Sequence, residues 1–435
     1  MSDDQGRLTS RPLDPDVTVE LPELTPRSTR QQWTRSALAS FDGLPSVGDT
    51  DVPTFLVGTG HGVVRAVDDD GTELWAVDLG GMAVALEPAL VDDEPVVFVG
   101  TRGETAVLAL LDAIEGTVRW THDLEADLGS ATKETLFYYP MTVDLASDAT
   151  TSEAEGDRLY AAARRYERDG DDRLFESRVY AFDPDGEIAW TYDADASPIA
   201  LDRRDGRLAV AYNRCPGDHQ CGLAVLDAAD GDLDHTWDPG TDGGRRVGDV
   251  ALDDDGVILA SHGDYRGYAL GRDGGERWQV DLGRPVAESD GAYTYPNHVT
   301  IDGDGALFVT GNTFPEEGRE TDERHPDEHA LTVVDRGRGD RLRTLAVDGW
   351  LGGHDWAGDD LALAVGQHFR DCDPETHSLR IVTPDSGENR CFGIDGIAAG
   401  VAVDDDRIAV LEEPIAYHDE DDHRGAHRLH IGSVS

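Results

Sequence analysis

The chain has 435 residues, of which 39% are hydrophobic, enough apolar material for a sizeable core. Asp plus Glu number 89 against 37 Lys plus Arg, a formal net charge of −52, and Lys133 is the only lysine. An acid surplus of this size argues against a nucleic-acid partner, which needs a basic footprint, and nowhere do about 18 apolar residues run together to span a membrane.

In chain order, Met1 to Pro26 is polar and rich in Asp, Pro, Thr and Arg. Residues 1–29 read as an extension outside the folded unit. They show no apolar leader core, twin-arginine pair or lipidation cysteine, so the expected compartment is the cytoplasm. From there one short pattern recurs. Its clearest copies run from Ala66 through Asp68 and Gly71 to Trp75, and from Ala181 through Asp183 and Gly186 to Trp190. Other copies end at Trp120, Trp237 and Trp278, and two degenerate ones surround Leu345 and Phe392. Residues Arg428 to Ser435 read as the first half of the pattern, and the stretch around Trp33 as its second half.

Each copy divides into four short apolar runs, a to d. Run a ends in a small-apolar-Asp signature, as in Thr142-Val143-Asp144, Ala200-Leu201-Asp202 and Ala251-Leu252-Asp253. Run b is a β-rich segment such as Val97-Phe98-Val99-Gly100. Run c precedes an Asp-Gly turn, and run d carries the tryptophan. Turn-bounded runs of this length and composition predict buried strands, with glycine supplying the positive φ of the turn. A lone four-stranded sheet cannot bury such a tryptophan, but face-to-face neighbours can. The prediction is therefore an all-β fold: an eight-bladed β-propeller of four-stranded antiparallel blades over residues 30–435. It closes by pairing of the C-terminal strand with an N-terminal strand, placed near Trp33. Insertions at 147–157, 166–176 and 314–328 lengthen particular units.

The recurring Ala-x-Asp-x-x-x-Gly-x-x-x-Trp-like unit resembles the repeat of quinoprotein-type, pyrroloquinoline-quinone-repeat β-propellers, over roughly residues 30 to 435. The resemblance implies a propeller. It also implies either a quinone-dependent alcohol dehydrogenase or one of the relatives that bind no quinone and serve as assembly or interaction scaffolds. The dehydrogenases stack an adjacent cysteine pair on the quinone, and this sequence has no Cys-Cys. No cofactor is therefore expected. The composition in turn is of the haloarchaeal type. At molar salt the screening length is about 3 Å, which removes most of the self-repulsion of so acidic a chain.

Propeller geometry places the b-to-c and d-to-a connections on one face, and most of the fifteen histidines fall there. Aligning the repeats brings Gly60, Arg102, Arg164, Asn213, His262, Asn312, Gln367 and Glu413 to the exit of strand b. His298, His354 and Asp249 fall on a second ring bordering the channel, with Trp356 close behind His354. Arg102, Arg164, Asn213, His262, His298, Asn312, His354, Trp356 and Gln367 are thus the candidate binding residues at the channel mouth. The aromatic clusters Tyr138-Tyr139 and Tyr293 to Tyr295 lie beside them. Polar groups facing each other across a confined space suit a ligand, and the same groups also serve to solvate a channel and stitch blades together.

Metal and catalytic signals are weaker. His325-Pro326-Asp327-Glu328-His329 spells a zinc-peptidase motif, but that chemistry needs both histidines on one helical turn, and proline follows the first. Cys215 and Cys221 flank a hairpin with His219 between them, open to free thiols, a disulfide or a metal. The loop His418 to His423 reads as solvated. No catalytic or metal residue is assigned. The leading expectation is a monomeric, non-catalytic scaffold that offers its b–c and d–a face to a protein partner or small ligand. The alternative is an enzyme at the channel mouth, either quinone-dependent or a histidine-based transferase resembling arylsulfotransferase propellers.

Overall fold

The computed structural model describes residues 10–29, 35–41, 52–148, 157–241, 244–286, 291–316, 318, 321–368, 370–417 and 422–433. The protein is all-β. Successive antiparallel meanders of four strands, a to d, cover residues 37–78, 82–123, 141–194, 197–237, 247–281, 293–346 and 351–393, and a last sheet begins at 397. The 82–123 and 141–194 meanders touch edge to edge where Arg102 pairs with Met141. The b strands are buried along nearly their whole length, as in Val97 to Val99 and Leu208 to Ala211. The cores lie between consecutive sheets: Tyr160, Ala162 and Trp190 of one pack with Leu208, Val210 and Leu226 of the next.

The repeat tryptophan explains the spacing of the motif. Trp75 Nε1 donates to the Ala113 carbonyl at 2.7 Å, Trp120 to Pro184 at 3.0 Å, Trp190 to Ala228 at 3.0 Å and Trp278 to Arg336 at 2.7 Å. Each acceptor lies in the c–d turn of the following meander. The glycine of that turn has two reasons to be glycine. Its φ is positive, at +68° in Gly116 and +76° in Gly231, and a Cβ there would come within 2.6 Å of the Trp75 or Trp190 indole. The turn is thus shaped as a seat for its neighbour's tryptophan.

The same seat corrects part of the motif assignment. Opposite Gly274 the seated side chain is His235, and opposite Gly387 it is Arg343. Trp237 stands two residues further along its strand and packs on Tyr268, with ring centroids 4.7 Å apart. The degenerate copy around Leu345 therefore seats Arg343, and the copy expected to end at Trp237 seats His235 instead.

The N-terminal boundary is also corrected. The last strand, Arg428–Ser433, pairs antiparallel with Val17–Glu20, and Arg11–Pro12 adds in parallel to Glu388–Gly393. Residues 10–20, expected outside the folded unit, therefore supply strands. Trp33, expected beside the last strand, lies outside the described residues. The short alternation Val17-Thr18-Val19-Glu20 carries the pairing: Val17 and Val19 turn inward against Phe55, Val57, Leu411 and Ile431. They also occupy the seat at Gly71, within 2.7 Å of where a Cβ would stand.

On the inner strands, aspartates tie four of the meanders to the next. Asp144 accepts from the Leu201 N–H at 2.8 Å, Asp202 from Leu252 at 2.5 Å, Asp249 from Val299 at 2.9 Å and Asp355 from Val403 at 2.8 Å. The small-apolar-Asp signature of run a is in part this strap.

Gly231→Ala is expected to destabilise the protein by about 2–4 kcal/mol, combining left-handed strain with a clash against Trp190. Gly206, at φ +71° with nothing within 4 Å of its would-be Cβ, isolates the strain. Gly206→Ala should cost only about 1 kcal/mol in the same denaturant melts in molar KCl. Equal losses would mean that the indole seat contributes nothing.

Candidate functional site

Two clefts open between the ends of the b strands, and both include Ile199 in their walls. The larger, about 720 Å³, is built by the 82–123, 141–194 and 197–237 meanders. Arg102 ends one b strand, Arg164 lies near the outer part of the next, and Asn213 and Arg214 end the third. The expected insertion at 166–176 is a continuation of two strands, Leu159–Asp169 and Asp172–Phe182, into a projecting hairpin. This hairpin brings Tyr166, Arg168, Arg173 and Phe175 to the cleft, with Tyr166 packed against Phe137 and Tyr138 of the d-to-a connection.

Arg102 is buried and donates from Nε and Nη2 to the Leu136 carbonyl at 3.1 and 3.0 Å. Arg164 donates to Ser197 Oγ and lies 5.8 Å from the Phe175 ring centre. Burial draws the guanidinium of each of Arg102, Arg164 and Arg214 down to about 10, and mutual repulsion with Arg102 and Arg214 adds to it at Arg164. Asn213 also lines this cleft; its Nδ2 donates to the Val247 carbonyl at 2.9 Å and meets His262 Nδ1 at 2.8 Å.

The second cleft, about 440 Å³, is lined by His262, Asp249, Asn297, His298, Arg245, Trp350 and Glu413 among others. Burial holds the His262 and His298 imidazoles down at about 3, so both are neutral near pH 7. His298 Nδ1 is 3.9 Å from Asp249 Oδ2, and its ring centre is 6.3 Å from that of His354. Burial raises Asp249 to about 7. Glu413 is fully buried and shared by Arg27 and Arg35, whose side chains approach its Oε2 at 2.5 and 2.8 Å. Sequence reasoning missed both arginines because they lie in or beside the stretch assigned to an extension. Arg173 and Arg214 were missed too, although the alternation Arg164-Arg165-Tyr166-Glu167-Arg168 signals a strand continuing past the sheet.

The remaining candidates are held in packing roles. Asn312 Oδ1 accepts from His329 Nε2 at 3.0 Å, and Gln367 Nε2 donates to the Thr29 carbonyl at 2.7 Å. Trp356 Nε1 donates to Thr300 Oγ1 of the preceding meander at 3.2 Å. Those three line neither cleft. Cys215 is a thiol, donating to the Cys221 carbonyl at 3.3 Å and pushed up to about 12 by burial. His418 lies outside the described residues.

Glu328, His329 and His368 bring potential ligand atoms within 4.8 Å of one another. Their hydrogen bonds oppose metal binding. His368 Nδ1 accepts from the Arg370 N–H at 3.2 Å, which places the imidazole proton on Nε2, facing Glu328 Oε2 at 3.1 Å. A ligating Nε2 would need that proton on Nδ1. Arg370 already takes the other carboxylate oxygen at 3.1 Å. The trio is an ion-pair junction between two meanders. His325, of the same motif, contacts the Arg284 carbonyl instead.

The sequence profile of the family described as outer membrane protein assembly factor BamB matches residues 60–250 and 170–313, together more than half of the chain. The chain belongs to the pyrroloquinoline-quinone-repeat-like β-propeller family. No curated protein sequence matches it. Among solved structures it is similar to BamB from Moraxella catarrhalis, at 14% identity and TM-score 0.55 over 96% of this chain and 98% of that one. The quinohemoprotein alcohol dehydrogenase from Comamonas testosteroni matches at 12% identity and TM-score 0.52, over 92% and 77%. Sqt1 from Saccharomyces cerevisiae matches at 8% identity and TM-score 0.58, over 96% and 100%. At these identities the likeness is one of fold.

The sequence has no adjacent cysteines; among the described residues no carboxylate lines the larger cleft, while Asp249 and Glu413 line the second. Among the described residues no helix is long and apolar enough to cross a membrane.

On the inner strands, burial pushes Glu87 up to about 8, with Asp144 and Asp202 adding repulsion against the relief from Ser147 Oγ at 2.8 Å. The unfolded carboxyl ionises near 4.5. Between these values the folded state keeps a proton that the unfolded state has lost, so stability falls as pH rises across that window. Glu87→Gln should flatten this decline in denaturant melts between about pH 5 and pH 8. An unchanged slope would mean that Glu87 is not confined in this way.

Proposed function

We propose that the chain is a closed, eight-bladed propeller that acts as a non-catalytic binding scaffold in a high-salt cytoplasm. Closure is supported by the inner strand of the last sheet packing on that of the first, and by Val17 and Val19 filling the seat at Gly71. The observation that carries the binding role is the pair of clefts at the b-strand ends, with cationic and aromatic side chains lining the larger one. A folded monomer has no internal use for such a concentration of positive charge in so acidic a chain. The family description, an assembly factor, is consistent with a scaffold that recruits a protein or small ligand.

One observation favours a second reading, a histidine-based transferase: His298 and His354, on the inner strands of consecutive meanders, bring their ring centres within 6.3 Å, and burial lowers both imidazoles. Affinity capture in molar KCl separates the two. The scaffold reading expects a defined set of partners that is lost with His298→Ala plus His354→Ala, and no turnover of aryl sulfate donors. Capture unchanged by the double substitution would remove the second cleft from the binding face, and turnover that needs His298 would establish the transferase.

A further inference from the structure

The seam between the 351–393 meander and the last sheet lacks three features that fill other seams. The first is the indole. Trp75, Trp190 and Trp278 stand opposite Ala66, Ala181 and Ala269 across the c–d ladder. Arg390 holds that register opposite Ile381, and its Nη2 donates to Asp360 Oδ2 of its own meander at 3.0 Å. The second is a bulky side chain at the end of strand c. Just before the c–d turn stand Leu111, Phe182, Leu226, Leu270, Val334 and Val382, all buried against the preceding sheet. The aligned residue of Arg428–Ser433 is Gly432. The third is the turn itself. Arg428–Ser433 and its neighbour Val17–Glu20 come from opposite ends of the chain, so no c–d turn joins them. The segment 11–16 runs between the two sheets instead, tied to one at Arg11–Pro12 and leading into the other at Val17–Glu20.

These three losses leave a cavity of about 380 Å³. Leu379, Ile381 and Phe392 form one wall, Ile408 and Val410 the other. His430 lies beside them, its two ring nitrogens held by Glu412 Oε2 at 2.7 Å and Thr18 Oγ1 at 3.2 Å. The 11–16 segment supplies the remaining side: Leu13 packs on the same apolar cluster, and its N–H donates to the Gly393 carbonyl at 3.1 Å. The cavity shares no lining residue with either cleft at the b-strand ends. An apolar cavity of about 150 Å³ already takes up benzene, so a space of this size with apolar walls gains by being filled. Trp75, Trp190 and Trp278 show what fits between consecutive sheets of this protein, a flat fused ring.

We propose that this seam binds a neutral fused-ring aromatic molecule of indole size, which takes the place of the absent tryptophan and fastens the 11–16 segment over it. The apolar walls select against a charged ligand, and the gap between two sheets selects for a flat one. Because the segment leads directly into Val17–Glu20, occupancy of the seam also steadies the pairing of that strand with Arg428–Ser433.

Isothermal titration of the full chain in molar KCl tests the site, with indole as the ring probe and octan-1-ol as the linear one. The expected result is saturable one-to-one binding of indole, about tenfold or more tighter than that of octan-1-ol. Gly432→Val restores the missing side chain and should weaken indole binding about tenfold or more while raising the thermal midpoint. Arg390→Trp supplies a ring from the chain itself and should weaken indole binding as well. Leu342→Ala, exposed on the outer strand of another meander, should leave binding unchanged. Indole should slow amide hydrogen exchange over residues 10–20 and not over 197–237. Thermal melts verify that each variant is folded. Absence of saturable binding by the wild-type chain, undiminished binding by both folded filling variants, octan-1-ol binding as tightly as indole, or unchanged exchange over residues 10–20 would each overturn the proposal.

Discussion

The architecture depends on one contact repeated between successive sheets: an indole donating to a carbonyl in the next c–d turn and lying flat on its glycine. The contact is directional, because each meander supplies a side chain to the following sheet and a turn to the preceding one. It fixes sheet-to-sheet spacing through a rigid ring and a backbone hydrogen bond rather than through adjustable aliphatic packing. With spacing set on the outer strands by indoles and on the inner strands by aspartate straps, the b-strand ends are held in register. Arg102, Arg164 and Arg214 come from three different meanders yet line one cleft. Their convergence is a consequence of that register.

Much of this was legible in the amino-acid order. The Asp-Gly turn and the tryptophan predicted both the strands and the need for a neighbour, because no isolated sheet could bury the indole. The expected positions of Arg102, Arg164, His262 and His298 lie on the clefts, since strand-exit alignment needs only the repeat period. Legibility failed where another residue took over a motif position. His235 and Arg343 fill the indole's place with a different chemistry, and the more conspicuous Trp237 stands two residues away. It failed again at the N-terminus, where Val17-Thr18-Val19-Glu20 is a strand too short to register against a polar background. Asn312 and Gln367 align with the rim residues by spacing and Trp356 follows close behind His354, yet their side chains turn into the seams. Spacing reports backbone position and not rotamer.

The charge distribution divides the molecule into two regimes. The outer turns carry acidic groups in water, where each is screened and close to neutral in energetic effect. The interior holds a smaller set of ionisable groups whose environment changes them: Glu87, Asp144 and Asp249 raised by burial, His262 and His298 lowered. Near neutral pH the His262 and His298 rings are uncharged, and Glu87 keeps its proton. Arg102, Arg164 and Arg214 remain fixed charges in the larger cleft, which no carboxylate among the described residues lines.

The bond between Val17–Glu20 and Arg428–Ser433 joins segments about as distant in the chain as any can be; Thr18 and His430 are 412 residues apart. A ribosome adding about 5–20 residues each second separates the appearance of these two strands by tens of seconds. For that interval the earlier strand has no partner and the growing stack of sheets ends in an open edge. Completion of the last sheet therefore waits for the later strand, and the nascent chain is most exposed to aberrant pairing just before it.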